Sequence, residues 1–191
     1  MSEPAGETSG AVDPALRSAV REIEAHVAES GWDQPARLYA LVPTTDLVSR
    51  EPRLAAAMGL DTDSEVGSDA LTPVEQDDLP SDRPLEAVLG AIMWPAEVFG
   101  AAAVVERLVL PPEADAGLPA EPEAAERYAA EHPDRQEVRI VAGATRSGST
   151  YCALRMRAHD DALSVVESPD LVPSLLQLVR DTLDTPSRPE R

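Results

Sequence analysis

The chain has 191 residues, of which 35 are acidic and 16 basic, so its net charge at neutral pH is −19. Contacts to nucleic-acid phosphates need a basic stripe that releases counterions, and anionic membranes attract basic segments. The composition therefore argues against nucleic acid and membranes as partners. The length suits one folded domain, and the aromatic content of 3% requires a core of Ala, Val and Leu.

The N-terminal third predicts a tail, a helix, a strand and a second helix. Residues 1–12 are small and polar, and we expect a disordered tail. Asp13 followed by proline is typical of a helix start, and the apolar spacing predicts a helix from about 14 to 29. Residues 37–42 form a strand pattern, and Ser49 is expected to cap a helix that ends before Gly59.

Two acidic segments interrupt the middle of the chain. Residues 61–84 and 111–122 are rich in carboxylates and prolines, and both are predicted to be loops. A short helix over 85–93 and a strand over 101–110 lie between them, and a small helix over 123–131 follows.

Residues 137–145 and 149–157 predict a β-hairpin whose register can be chosen from the pattern. A two-residue turn would mix apolar and charged side chains on each face. A three-residue loop with Gly148 in the left-handed conformation brings the apolar residues together on one buried face. Its pairs are Val138 with Met156, Ile140 with Leu154, and Ala142 with Cys152.

A C-terminal helix is expected to open at Ser168-Pro169-Asp170, and its apolar residues lie on nearly all sides, as in a core helix. Residues 185–191 are expected to be a disordered tail. The order of the elements predicts one α+β domain over 13–184. Its antiparallel or mixed sheet would have about four to five strands covered by helices.

The sequence contains no complete motif for catalysis, a metal or a cofactor, and we expect none of the three. Residues 143–150 resemble the spacing of a phosphate-binding loop, but Ser149 stands at the lysine position and the segment lies in a hairpin. The histidines lack a metal-ligand spacing, and Cys152 points towards the predicted core.

Two features are candidates for binding. In the chosen register Arg139 opposes Arg155, which is unfavourable unless a negative group lies between them. That group is either Glu106 or Glu137 within the sheet, or an anionic ligand or acidic partner segment. Trp32 and Trp94 lie at proline-containing corners, where a tryptophan either plugs the core or anchors a partner.

Several segments together resemble a family of conserved hypothetical proteins from actinobacteria. The resemblance covers about residues 15–184 and is carried by residues 31–35, 37–38, 40–42, 71–73, 75–76, 94–95, 106–108, 110–112, 132–133, 135–139 and 170–173. It implies an actinobacterial source and a cytoplasmic protein, and it implies no activity, cofactor or catalytic residue. The polar start of the chain, which lacks the apolar segment of a signal peptide, also favours the cytoplasm.

Three functions remain open. The favoured one is a non-enzymatic interaction or regulatory protein that contacts a protein partner through Trp32, Trp94 or the Arg139–Arg155 face. The second is a small-ligand-binding protein or enzyme that uses this arginine face, with Trp32, Asp33 and His132 lining a pocket. The third is a structural homodimer joined through a sheet edge.

Overall fold

The structure, a computed structural model, describes residues 12–60, 67, 69–77, 79–80 and 83–184. The two predicted tails lie outside the described residues, except for Val12. The described residues form one antiparallel sheet in the order β2-β1-β3-β4-β5-β6. Its strands are β1 (Arg37–Pro43), β2 (Leu71–Glu75), β3 (Gly100–Val109), β4 (Gln136–Thr145), β5 (Thr150–Met156) and β6 (Val166–Ser168).

The sheet therefore has six strands, and the predicted number of four to five was wrong. The two strands that were missed are the edge strands, which are short and have a weak apolar pattern. β2 lies within the segment 61–84 that was predicted to be a loop, and it contains Pro73. Proline is tolerated at a sheet edge, where a missing N–H need not interrupt the ladder. The other predicted loop, 111–122, contains a 3₁₀ helix at Pro112–Gly117.

One face of the sheet is covered by α1 (Pro14–Glu29), as the spacing predicted. The Asp13 carboxylate accepts hydrogen bonds from the N–H groups of Ala15 (3.0 Å) and Leu16 (3.2 Å), which caps the helix. Gly143 on β4 lets α1 approach closely, because a Cβ there would lie 2.8 Å from Cγ2 of Val20.

The opposite face packs against α4 (Leu85–Leu89) and α6 (Pro173–Asp181). α6 begins at Pro173 rather than at the expected segment Ser168-Pro169-Asp170, because proline favours the first helical position. Its buried residues are Leu175, Leu176 and Val179, whereas Leu178 is only partly buried. The helix is thus amphipathic rather than apolar on all sides.

The prediction of a single helix capped by Ser49 was wrong. The chain forms two short helices, α2 (Thr44–Arg50) and α3 (Pro52–Ala57), and Ser49 lies inside the first. Pro52 disfavours helical backbone at the preceding residue, and Glu51 has φ −128° and ψ 60°. The remaining helix, α5 (Pro122–Glu131), begins one residue before its predicted start at residue 123.

The hairpin of β4 and β5 has the predicted three-residue loop. Val138 pairs with Met156, Ile140 with Leu154 and Ala142 with Cys152. Gly148 has φ +92°, the left-handed conformation that this loop requires. The register also places Arg139 directly opposite Arg155, on the face that α1 covers.

Candidate functional site

Arg139 and Arg155 lie side by side and are only 1% and 5% exposed. Arg139 donates to Oε1 of Glu106 through Nε (3.3 Å) and Nη2 (2.9 Å). Arg155 donates to both carboxylate oxygens of Glu24 on α1, at 2.5 and 2.9 Å. The prediction that Glu106 supplies negative charge within the sheet is confirmed for Arg139, whereas Arg155 obtains its counter-charge from the covering helix.

Trp32 packs against this arginine cluster. Its ring centre lies 4.4 Å from Cζ of Arg139 and 5.7 Å from Cζ of Arg157, within the range of cation–π attraction. Its Nε1–H donates to Oδ2 of Asp160 at 2.9 Å, and the same carboxylate accepts from Nη1 of Arg155 at 3.2 Å. The indole is thus engaged within the molecule on both its ring face and its N–H.

Asp33 joins the cluster to the turn before β1. It has φ +64°, and its N–H donates to Oε2 of Glu106 at 2.8 Å. Its carboxylate accepts two hydrogen bonds from Arg157, each 2.9 Å long. These bonds lower the pKa of the Asp33 carboxyl and raise the pKa of the Arg157 guanidinium, so both groups stay charged at neutral pH.

The cluster holds more negative than positive charge. The pKa of the Arg155 guanidinium is raised, chiefly by the hydrogen bonds that Arg155 donates to Glu24. Three guanidiniums face five carboxylates, which belong to Glu24, Asp33, Glu106, Glu137 and Asp160. Among the described residues, Nη1 of Arg139 is buried without a hydrogen-bond partner, but an external anion would still meet this excess of carboxylates. The arrangement instead joins α1, the turn at 31–34 and the sheet.

Trp94 and His132 lie apart from this cluster. Trp94 packs on the opposite face of the sheet, and its Nε1–H donates to Oγ1 of Thr182 at 2.9 Å. His132 follows the end of α5, where its ring contacts Tyr128 and its Nδ1 accepts from the N–H of Asp134 at 3.1 Å. The structure therefore brings four of the six predicted site residues together and leaves Trp94 and His132 elsewhere.

Trp94 borders an apolar groove of about 840 Å³ on its own face of the sheet. The floor of the groove is formed by alternate residues of two strands: Leu38, Ala40, Val42 and Val74. One wall comes from α2 and α3, and the other from α4 and residues 91–98. α6 lies against β3 and β4, and this leaves the groove over β1 and β2 beside it.

The wall at residues 94–98 is tied to the β4–β5 turn by Arg146. Its Nε donates to the carbonyl oxygen of Val98 at 2.8 Å, and its Nη2 donates to those of Trp94 and Pro95 at 3.1 Å each. Nη1 also donates to the carbonyl oxygen of Leu183, just after α6. One guanidinium therefore fixes this wall against the end of α6.

Charged residues surround the apolar floor. Four carboxylates line the groove, from Asp46, Glu51, Asp77 and Glu97, together with the guanidiniums of Arg50 and Arg83. Within the described part of the chain, none of these six side chains forms a hydrogen bond or ion pair. The charges at the groove are therefore available to a bound molecule, and negative charge predominates.

Sequence reasoning missed both Glu24 and the groove. Glu24 had a signal, because it lies four residues after Val20 and so falls on the apolar side of the predicted helix. The groove had no such signal, because Leu38, Ala40 and Val42 occupy alternate positions of their strand, as the buried residues of any covered strand do. Only the tertiary arrangement shows that a groove lies between the elements around them.

The fold places the protein in the class of α+β proteins built on one antiparallel sheet. The chain belongs to the PPA1309-like protein family, which it matches over residues 16–184. Comparison with curated proteins and with solved structures gave no match. In the described residues, no helix is long and apolar enough to cross a membrane, and no group of three or more His, Cys, Asp or Glu side chains is arranged to hold a metal.

Proposed function

We propose that the protein is a non-enzymatic interaction protein and that the apolar groove binds a segment of a protein partner. The observation that carries this proposal is the groove itself, since a large concave apolar surface with a few polar groups is the usual form of a binding site. Trp94 then contributes as one wall of the site. Trp32, Asp33, Arg139 and Arg155 support the fold around α1 instead.

The apolar surface continues out of the groove onto its rim. Met93 and Leu54 belong to the lining and are still 67% and 41% exposed. A small molecule held inside the groove would leave these side chains in water, whereas a protein segment lying across it would cover them. Methionine is also enriched at protein interfaces, where its flexible side chain adapts to a partner.

A small apolar ligand is the second candidate, because about 840 Å³ falls within the range of small-molecule sites. A homodimer through a sheet edge is less favoured. β2 carries Pro73 and β6 has only three residues, and both features weaken an edge for pairing. We also propose an actinobacterial source and a cytoplasmic location, supported by the sequence resemblance.

Site-specific photo-crosslinking tests the proposal. A photoreactive amino acid at Met93, in cells of the natural source, should give a discrete protein adduct. Val74→Gln, which makes the floor polar, should abolish the adduct. Leu108→Gln is the matched control, since Leu108 is 43% exposed but does not line the groove, and it should leave the adduct intact. An adduct that survives Val74→Gln, or none at all, would overturn the proposal.

A native mass of the purified protein separates the candidates. A mass excess of a few hundred daltons, lost in Val74→Gln, would replace the partner proposal with the small-ligand alternative. A doubled mass that Val74→Gln does not change would instead support the homodimer.

A further inference from the structure

We infer that the groove is selective for a positively charged partner segment, one in which apolar side chains are flanked by Lys or Arg. The inference rests on the proposed function and adds the chemistry of the partner. Its basis is the set of ionic side chains around the groove: four carboxylates and two guanidiniums, none engaged with another described residue.

The four carboxylates at the groove have no internal partner and line an apolar surface, whereas other unpaired acids of the described residues, such as Glu113 and Glu121, lie outside the groove. Elsewhere, arginines such as Arg107 and Arg157 are held by carboxylates of the same chain. At the groove even Asp46 and Arg50, one helical turn apart on α2, form no ion pair. A cationic segment can therefore pair with the rim without breaking any internal bond, which keeps the cost of binding low.

The net charge of the whole chain also favours a cationic partner segment. The net charge of −19 attracts a cationic segment and steers it towards the protein. The same charge argues against a second copy of this chain as the occupant, because two such copies repel each other and would bring two acidic rims together. An acidic partner segment would meet the same repulsion.

Three peptides of equal length test the charge selectivity. Each carries Leu at the same three of twelve positions, and the other positions are mainly Lys, Glu or Ser. Fluorescence anisotropy with one dye gives the dissociation constants at 0.05 M and 0.5 M salt. The Lys peptide should bind at least tenfold more tightly than the Glu peptide at low salt. The ratio should fall towards one at high salt, where the Debye length is only a few ångströms.

Charge variants distinguish the rim from the overall field. Neutralising the rim by Asp46→Asn, Glu51→Gln, Asp77→Asn and Glu97→Gln should weaken binding of the Lys peptide at least about fivefold, since each exposed contact contributes about a 1.5- to 5-fold change. The matched control neutralises four exposed acids outside the groove, through Glu113→Gln, Glu121→Gln, Glu126→Gln and Glu131→Gln. It should change the affinity less than threefold. Arg50→Gln should raise it.

The outcomes are separable. Equal losses from the two quadruple variants, or tighter binding of the Glu peptide, would overturn the charge inference. If the Ser peptide binds as well as the Lys peptide and Val74→Gln abolishes both, the inference fails while the proposed groove function stands. If Val74→Gln leaves Lys-peptide binding unchanged, the groove is not the site and both fail.

Discussion

Replacing Glu24 by Gln should strongly destabilise the protein, because it removes one partner of a buried ion pair. The side chains of Glu24 and Arg155 are 7% and 6% exposed, so water cannot replace the lost charge. Breaking a buried pair in this way costs about 3–5 kcal/mol. Asp160, which is 45% exposed, still neutralises part of the Arg155 charge. We therefore expect Glu24→Gln to lower the free energy of unfolding by the lower end of this range, about 3 kcal/mol.

The control for this experiment is Glu86→Gln. Glu86 binds Arg107 at 2.6 Å, a distance close to that of the buried pair, but both side chains are nearly half exposed. An exposed pair is worth less than about 1 kcal/mol. The two substitutions change the net charge equally, so the difference between them measures burial.

Urea unfolding followed by circular dichroism gives both free energies. At about 2–4 °C per kcal/mol for a domain of this size, Glu24→Gln should also lower Tm by about 6–12 °C. The double variant Glu24→Leu with Arg155→Met should recover most of the loss, because it removes the buried charge altogether. If Glu24→Gln costs no more than Glu86→Gln, the reasoning from burial is refuted.

Three further predictions concern single positions. Gly100→Ala should lower the free energy of unfolding in urea by about 1–3 kcal/mol, because the new Cβ would lie 2.7 Å from the carbonyl oxygen of Ala144. The control Gly90→Ala, whose Cβ would make no contact below 3.5 Å, should change it by less than about 0.5 kcal/mol. Equal effects of the two substitutions would contradict the close packing at Gly100. Burial raises the pKa of the Cys152 thiol to about 11, so iodoacetamide should not label the folded protein at pH 8, and rapid labelling without urea would refute its burial. The stability from this protonated thiol is complete below its ordinary pKa of 9.0 and is lost as pH rises towards 11, a dependence that Cys152→Ala should remove. Asp13→Ala should cost about 1 kcal/mol by removing the cap of α1, Asp13→Ser should restore most of it, and an unchanged urea midpoint in the alanine variant would argue against the cap.

The hairpin and α1 were predictable because their information is local. In the hairpin, a one-residue shift would move every apolar side chain to the other face, so the alternation from Val138 to Met156 selects one register. In α1, Asp13 and the repeat of apolar residues mark both the start and the buried side. Neither inference needed knowledge of what packs against the element.

The edge strands and the groove depended on information that is not local. β2 pairs with β1 across a gap of more than 25 residues, and its own five residues include a proline. A strand of that kind is stabilised by its neighbour rather than by its composition. The groove is a space between elements, and its floor residues have the same pattern as residues covered by a helix.

The arginine face shows a different limit. The sequence correctly paired Arg139 with Arg155 and correctly offered Glu106 as the source of negative charge. It could not choose between that source and an external anion, because the choice depends on where Glu24 and Asp160 lie in space. The buried position of Glu24 on α1 would have been the useful clue.

The bonds of Arg146 have a consequence for how this protein can evolve. The side chain reaches from the tip of the hairpin to the carbonyl groups behind Trp94 and Val98, so a turn residue controls the position of a wall that it does not line. Substitutions in the turn can therefore alter the width of the groove while every lining residue is retained. Relatives with identical groove residues and different turns would then differ in partner preference, and a comparison restricted to the lining would overlook the cause.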